Sequence, residues 1–112
     1  MATVNQYLLL IHGNTRSEAS ASEWSKFFAS ARASGLFKGG SELGERVIVG
    51  EAEALQSTAH IVGFMRFDSE DKQLVLDLLK EHPVVKHGGS VELCVMPTSG
   101  SGGGREISAS PD

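Results

Sequence analysis

Four histidines are the residues of this 112-residue chain best suited to chemistry near neutral pH: His12, His60, His82 and His87. An imidazole can accept a proton, donate one or bind a metal ion. His82 and His87 have five-residue spacing, which matches no zinc motif, and the chain has a single cysteine, Cys94. We therefore expect no metal site and no cofactor, and general acid–base catalysis is the mechanism that the histidines suggest.

Strand and helix patterns along the chain determine where these histidines lie. Residues 4–12 are apolar on both faces, which is typical of a central strand. The spacing of Ser20 and Glu23 predicts a capping box, and Gly35 is the expected end of the helix that follows. Residues 36–41 read as a strand, and residues 46–49 as a second short strand or a hairpin arm.

The second half repeats this order. Residues 60–67 read as a buried strand, and Asp68 and Ser69 are predicted to cap a helix that Pro83 stops. Residues 90–96 form the last strand. The predicted fold is α+β: a ferredoxin-like β-α-β-β-α-β unit with an antiparallel sheet and both helices on one face. The first and third strands are apolar on both sides, so we expect a homodimer formed through the sheet face away from the helices.

This topology brings the histidines toward one end of the sheet. The first strand lies antiparallel to the third, so His12 should lie beside His60, and the chain returns to the same end at His82 and His87. His12 and His60 are the candidate catalytic residues. The predicted ligand-binding residues are His12, His60, Arg16 and His82. Strand ends also carry polar residues for no functional reason, so this grouping has a purely structural alternative.

Composition excludes several kinds of partner. The net charge is −4 and the ten basic residues are scattered, which argues against nucleic acid. No stretch is long and apolar enough for a membrane span, and a single cysteine fits a reducing compartment, so we expect a cytoplasmic protein without a membrane partner. Residues 1–98 should form the domain, and residues 99–112 a flexible Gly/Ser-rich tail.

Three stretches resemble the YciI-like (YCII-related) family: the opening Tyr-Leu-Leu-Leu-Ile-His-Gly, the segment from Ala-Arg-Ala-Ser-Gly to Glu-Leu-Gly, and the run from Val-Gly-Phe-Met-Arg-Phe-Asp to Met-Pro. The resemblance covers roughly residues 5–97 and implies a dimeric α+β barrel. Some family members are proposed to be enzymes with a His–Asp pair near the first helix. Residues 22–34 contain neither His nor Asp, so the resemblance transfers no catalytic residue.

Two hypotheses about function follow. The first is a homodimer that binds a small aromatic or anionic molecule in a cleft near the histidines, with acid–base catalysis by His12 or His60 if it is an enzyme. The alternative is a non-catalytic regulatory or protein-interaction module. An apolar-lined concave cleft containing His12 or His60 would favour the first hypothesis.

Overall fold

The computed structural model describes residues 3–52 and 56–97. The predicted boundary at residue 98 and the tail at 99–112 lie outside the described residues. The elements are β1 (Asn5–His12), α1 (Ala21–Ser34), β2 (Phe37–Glu42), β3 (Ile61–Ser69), α2 (Lys72–Leu79), α3 (Pro83–Lys86) and β4 (Val91–Met96). Within the described residues, no helix is long and apolar enough to cross a membrane.

The strands form one antiparallel sheet in the order β2-β3-β1-β4. β1 lies in the middle, where Leu9 pairs with Met65 on one side and Leu93 on the other. The predicted α+β class is confirmed, and the sheet and helices are compatible with a ferredoxin-like arrangement.

The core lies on one face of the sheet. Successive strand residues point to opposite faces, and every second residue of β1 and β3 is buried against the helices. The helices contribute Phe27 and Ala31 from α1 and Val75 and Leu79 from α2 to a single cluster, so α1 and α2 cover the same face. The strand residues of that cluster are Tyr7, Leu9, Ile11, Met65 and Phe67.

The alternate residues form the other face, which we call the open face. Leu8 pairs with Cys94, and Leu10 pairs with Phe64. These four side chains and that of Met96 are only partly buried in the single chain. The open face therefore carries apolar side chains around Leu8 and Leu10, beside the charged Arg66 and Glu92 that pair with these two residues, and it is accessible to solvent.

The ends of α1 agree with the sequence prediction. The Ser20 hydroxyl accepts a hydrogen bond from the Glu23 N–H at 3.1 Å, and the Glu23 carboxylate accepts one from the Ser20 N–H at 2.9 Å. Gly35 ends the helix with φ of 77°, a left-handed conformation that glycine adopts without strain. The predicted capping box and helix stop are both confirmed.

The predicted strand or hairpin arm at residues 46–49 is wrong. This segment lies in the loop between β2 and β3, and Val47, Ile48 and Val49 are 79, 66 and 91 % exposed. The Arg46 guanidinium donates a hydrogen bond to the Ile61 carbonyl oxygen. β-branched residues favour a strand only when a partner strand is at hand, and β3 pairs with β2 and β1 instead.

The predicted boundaries of the second helix also need correction. β3 continues to Ser69, so Asp68 is a strand residue, and the cap of α2 is Asp71, whose carboxylate accepts from the Gln73 N–H at 2.9 Å. α2 ends at Leu79, before Pro83. Pro83 instead begins α3, because a proline in the first turn of a helix sacrifices no hydrogen bond.

Candidate functional site

The four histidines occupy three environments. His12 and His60 lie together at the end of β1 and the start of β3, with ring centroids 5.3 Å apart and planes tilted by 46°. His82 lies in the core, and His87 lies beside the first turn of α1. The structure thus brings the two candidate catalytic residues together and places His82 apart from them.

A carboxylate completes the His12 environment. His12 Nε2 lies 3.0 Å from Glu92 Oε1, with the His12 side chain 23 % exposed and that of Glu92 58 % exposed. A carboxylate hydrogen-bonded to one nitrogen orients an imidazole, which is the arrangement of a general acid–base pair. Sequence reasoning missed this partnership, although the antiparallel pairing of Leu10 with Glu92 indicates it once the strand order is known.

A separate apolar cavity lies between α1 and strands β2 and β3, at the β2 edge of the sheet. We call it the α1–β2 cavity; its volume is about 720 Å³. Trp24 and Phe28 form its helix wall, with their rings stacked at 5.8 Å and 28°, and Phe37 adds a third ring. Its only charged lining residue within the described chain is Glu42.

Two glycines of the lining, Gly40 and Gly63, leave space in the cavity that larger side chains would fill. A Cβ at Gly40 would collide with the Phe64 carbonyl, so only glycine allows β2 to approach β3 this closely. Gly63 also lines the cavity, where a larger side chain would occupy part of the space. The lining of this cavity comes mainly from α1, β2 and β3, with Ile11 of β1 and Val84 of α3, so it is not the cleft beside His12 and His60 that the sequence predicted.

The histidine pair lies outside the lining of the α1–β2 cavity. Neither His12 nor His60 lines the α1–β2 cavity, whereas Ile11 does. The His12 ring instead contacts Glu92, which pairs with Leu10 of the open face, so the histidine pair lies at the end of the open face. The predicted ligand contacts of the two histidines thus stay predictions, and would require a ligand on the open face.

His82 is a buried residue with a structural role. Its Nδ1 accepts a hydrogen bond from the Val84 N–H at 3.1 Å and caps α3, so the proton of the neutral ring lies on Nε2. Nε2 is buried and has no hydrogen-bond partner among the described residues. The rings of Trp24 and Phe27 surround the imidazole at 5.2 and 4.7 Å. This burial lowers the pKa of His82 to about 4, because the charged ring would lose its hydration.

Arg16, the remaining predicted ligand-binding residue, lies beside the turn that follows α3. Its N–H donates to the His87 carbonyl at 2.9 Å, and its side chain passes over Gly88, which has a positive φ of 86°. Arg16 therefore neighbours His87, whose ring contacts Ser17 and Glu23. Within the described part of the chain, no group of three or more His, Cys, Asp or Glu side chains is arranged to hold a metal ion.

Comparison with known proteins adds no relative to this description. No protein-family model matches the chain, no curated protein is significantly similar to it, and no solved structure matches its fold significantly.

Proposed function

We propose that the chain is a YciI-like homodimer that binds a small aromatic molecule in the α1–β2 cavity. The observation that carries the proposal is the cavity itself, about 720 Å³ and walled by the rings of Trp24, Phe28 and Phe37. Pockets for small molecules commonly measure about 300–1,000 Å³ and combine apolar walls with a few polar groups. A planar ring fits between side chains that offer flat apolar faces.

The polar lining narrows the class of ligand. The Glu42 carboxylate would repel an anionic group, while its oxygens can accept a hydrogen bond from a hydroxyl. Ser25 and Ser41 supply further hydroxyls. Neutral or hydroxylated aromatic molecules therefore suit the cavity better than the anionic ligands that the sequence left open.

The homodimer is supported by the open face. Leu8, Leu10 and Phe64 lie on its central strands and are only partly buried in one chain. A second copy offers a surface of the same character, and two-fold symmetric contact covers both at once.

Titration with 2-naphthol, followed by NMR at the Trp24 indole N–H, tests the binding proposal. The change Ser25→Leu puts a larger side chain into the cavity and should weaken binding at least tenfold, whereas Ser22→Leu, on the same helix but not in the lining, should leave it unchanged. Equal affinity in all three proteins would refute the cavity as the site.

Acid–base catalysis by His12 is a second candidate, favoured by the 3.0 Å contact of His12 with Glu92 and the adjacent His60 ring. This site would act on a ligand at the open face. His12→Ala should therefore leave 2-naphthol binding in the α1–β2 cavity unchanged, and weaker binding in that variant would mean that the two sites are one.

The non-catalytic interaction module also has one observation in its favour. Val47, Ile48 and Val49 are exposed side by side in the loop between β2 and β3. If this segment binds a partner protein, the cavity need hold no ligand, and 2-naphthol should then give no saturable shift of the Trp24 signal.

A further inference from the structure

Three side chains outside the sites described above form a chain of short hydrogen bonds. Ser17 Oγ lies 2.7 Å from His87 Nδ1, and His87 Nε2 lies 2.7 Å from Glu23 Oε2. Ser17 belongs to the loop before α1, Glu23 to the first turn of α1, and His87 to the end of α3. A hydroxyl, an imidazole and a carboxylate in this order are the parts of an activated serine nucleophile.

The direction of these hydrogen bonds follows from the charge on Glu23. The Ser20 N–H and then the His87 ring lower the pKa of the Glu23 carboxyl to about 2, so it is ionised at neutral pH and can only accept. In the neutral ring, His87 Nε2 therefore carries the proton and donates a hydrogen bond to Glu23. Nδ1 is left with its lone pair, and the Ser17 hydroxyl donates to it.

The backbone holds the three residues in this arrangement. The Arg16 N–H donates to the His87 carbonyl at 2.9 Å, immediately before Ser17. The Asn14 side chain accepts from the Ser90 N–H at 2.9 Å, which ties the same loop to the chain after His87. The serine is exposed and the His87 side chain is 19 % exposed, so a molecule from solvent can reach the hydroxyl.

We propose that Ser17 is a nucleophile that accepts an acyl group from a small ester, with His87 as its general base and Glu23 as the residue that positions His87. Ser17 Oγ bonds to the ester carbonyl carbon while its proton passes to His87 Nδ1. The alcohol leaves with that proton, and the acyl group remains on Ser17 as an ester. Water then attacks this ester through the same base, releases the acid and restores the hydroxyl.

A neighbouring backbone N–H suits this chemistry. The Ser17 N–H has no hydrogen-bond acceptor within the described chain, and the N–H of a nucleophilic serine is a usual donor to the oxyanion of the intermediate. The side chain of the preceding residue, Arg16, lies over Gly88, the residue that follows His87. The acyl-transfer site does not depend on the α1–β2 cavity, so the two proposals can fail separately.

The test is reaction with p-nitrophenyl acetate, followed by peptide mass spectrometry to locate the acetyl group. We expect a rapid release of p-nitrophenolate close to one equivalent per chain and an acetyl group on Ser17. Ser17→Ala should abolish both, and Ser22→Ala, which changes another exposed serine near the same helix start, should abolish neither. Other histidines can hydrolyse this ester without a serine, so the position of the acetyl group, and not ester hydrolysis alone, identifies the nucleophile.

His87→Ala separates catalysis from a purely structural role of the same hydrogen bonds. Loss of the general base should slow acetylation of Ser17 about 100-fold, and added imidazole should restore much of the rate. Circular dichroism verifies that each variant is folded. If His87→Ala is unfolded, the proposal is tested by the acetylation of the wild-type protein and of Ser17→Ala alone. An acetyl group found elsewhere, or an unchanged burst in Ser17→Ala, overturns the proposal.

Discussion

Burial of His82 predicts that the stability of the protein falls as the pH drops below about 6.5. The pKa of His82 is about 4 in the folded chain because burial penalises the charged ring, against 6.5 in the unfolded chain. Between these values the unfolded chain binds the extra proton, and each pH unit lowers the free energy of unfolding by about 1.4 kcal/mol. At pH 4 the loss reaches about 3 kcal/mol, a large part of the 5–15 kcal/mol typical of a domain.

The matched variant is His82→Asn. An asparagine oxygen can accept the hydrogen bond from the Val84 N–H that caps α3, but the side chain does not titrate. The variant should be less stable at pH 7, since a smaller side chain leaves space beside Trp24 and Phe27, yet its stability should change less between pH 6.5 and 4. Leu79→Val is the control: it should lower stability by roughly 1 kcal/mol at every pH and keep the wild-type pH dependence.

Urea unfolding at fixed protein concentration provides the measurement. The chain has one tryptophan, Trp24, and its ring lies against His82, so its fluorescence follows unfolding where the titration occurs. Carboxylates also titrate in this range, so the quantity to compare is the difference in pH dependence between wild type and His82→Asn. Parallel curves for the two proteins would refute the assignment of His82 as a buried neutral imidazole.

Three further predictions test the fold and its assembly. Leu10→Lys places a charge at the centre of the open face, so sedimentation of this variant should show a mass near 11.9 kDa. The wild-type protein should sediment with about twice that mass. A monomeric wild-type protein would contradict the proposed dimer. Ser20→Ala removes the α1 cap and should lower the free energy of unfolding by about 1 kcal/mol in urea titrations; no loss would show that the hydroxyl contributes nothing. Gly40→Ala places a Cβ against the Phe64 carbonyl and should lower the free energy of unfolding by roughly 1–3 kcal/mol in the same assay. Gly44→Ala, which has open space at its Cβ, should change it by no more than about 0.5 kcal/mol. Equal effects of the two changes would contradict the close approach of β2 to β3.

Local signals in the sequence predicted much of the framework. The capping box at Ser20 and Glu23 and the stop at Gly35 each depend on residues a few positions apart, and both occur as expected. The prediction for residues 46–49 failed because β-branched side chains favour a strand locally, whether or not a partner strand is available. Which strands pair depends on the whole sheet, and a local pattern does not show it. Pro83 misled for a related reason: a proline can follow the end of one helix or begin the next, and only the end of α2 at Leu79 shows that Pro83 begins α3.

Side-chain partnerships were harder to predict than elements. The proximity of His12 and His60 followed from the antiparallel pairing of β1 with β3. The contacts of His87 with Ser17 and Glu23 join residues 70 and 64 positions apart through loop conformations that no periodicity encodes. The burial of His82 likewise depends on how α1 packs against α3.

Intermolecular nuclear Overhauser effects between 2-naphthol and the protein test the central claim, that the α1–β2 cavity binds a small aromatic molecule. We predict contacts from the naphthol ring to the Trp24 and Phe28 rings and to the Met65 methyl group, all in the cavity lining. Contacts only to Leu8 and Met96 would place the ligand on the open face and contradict the proposed site.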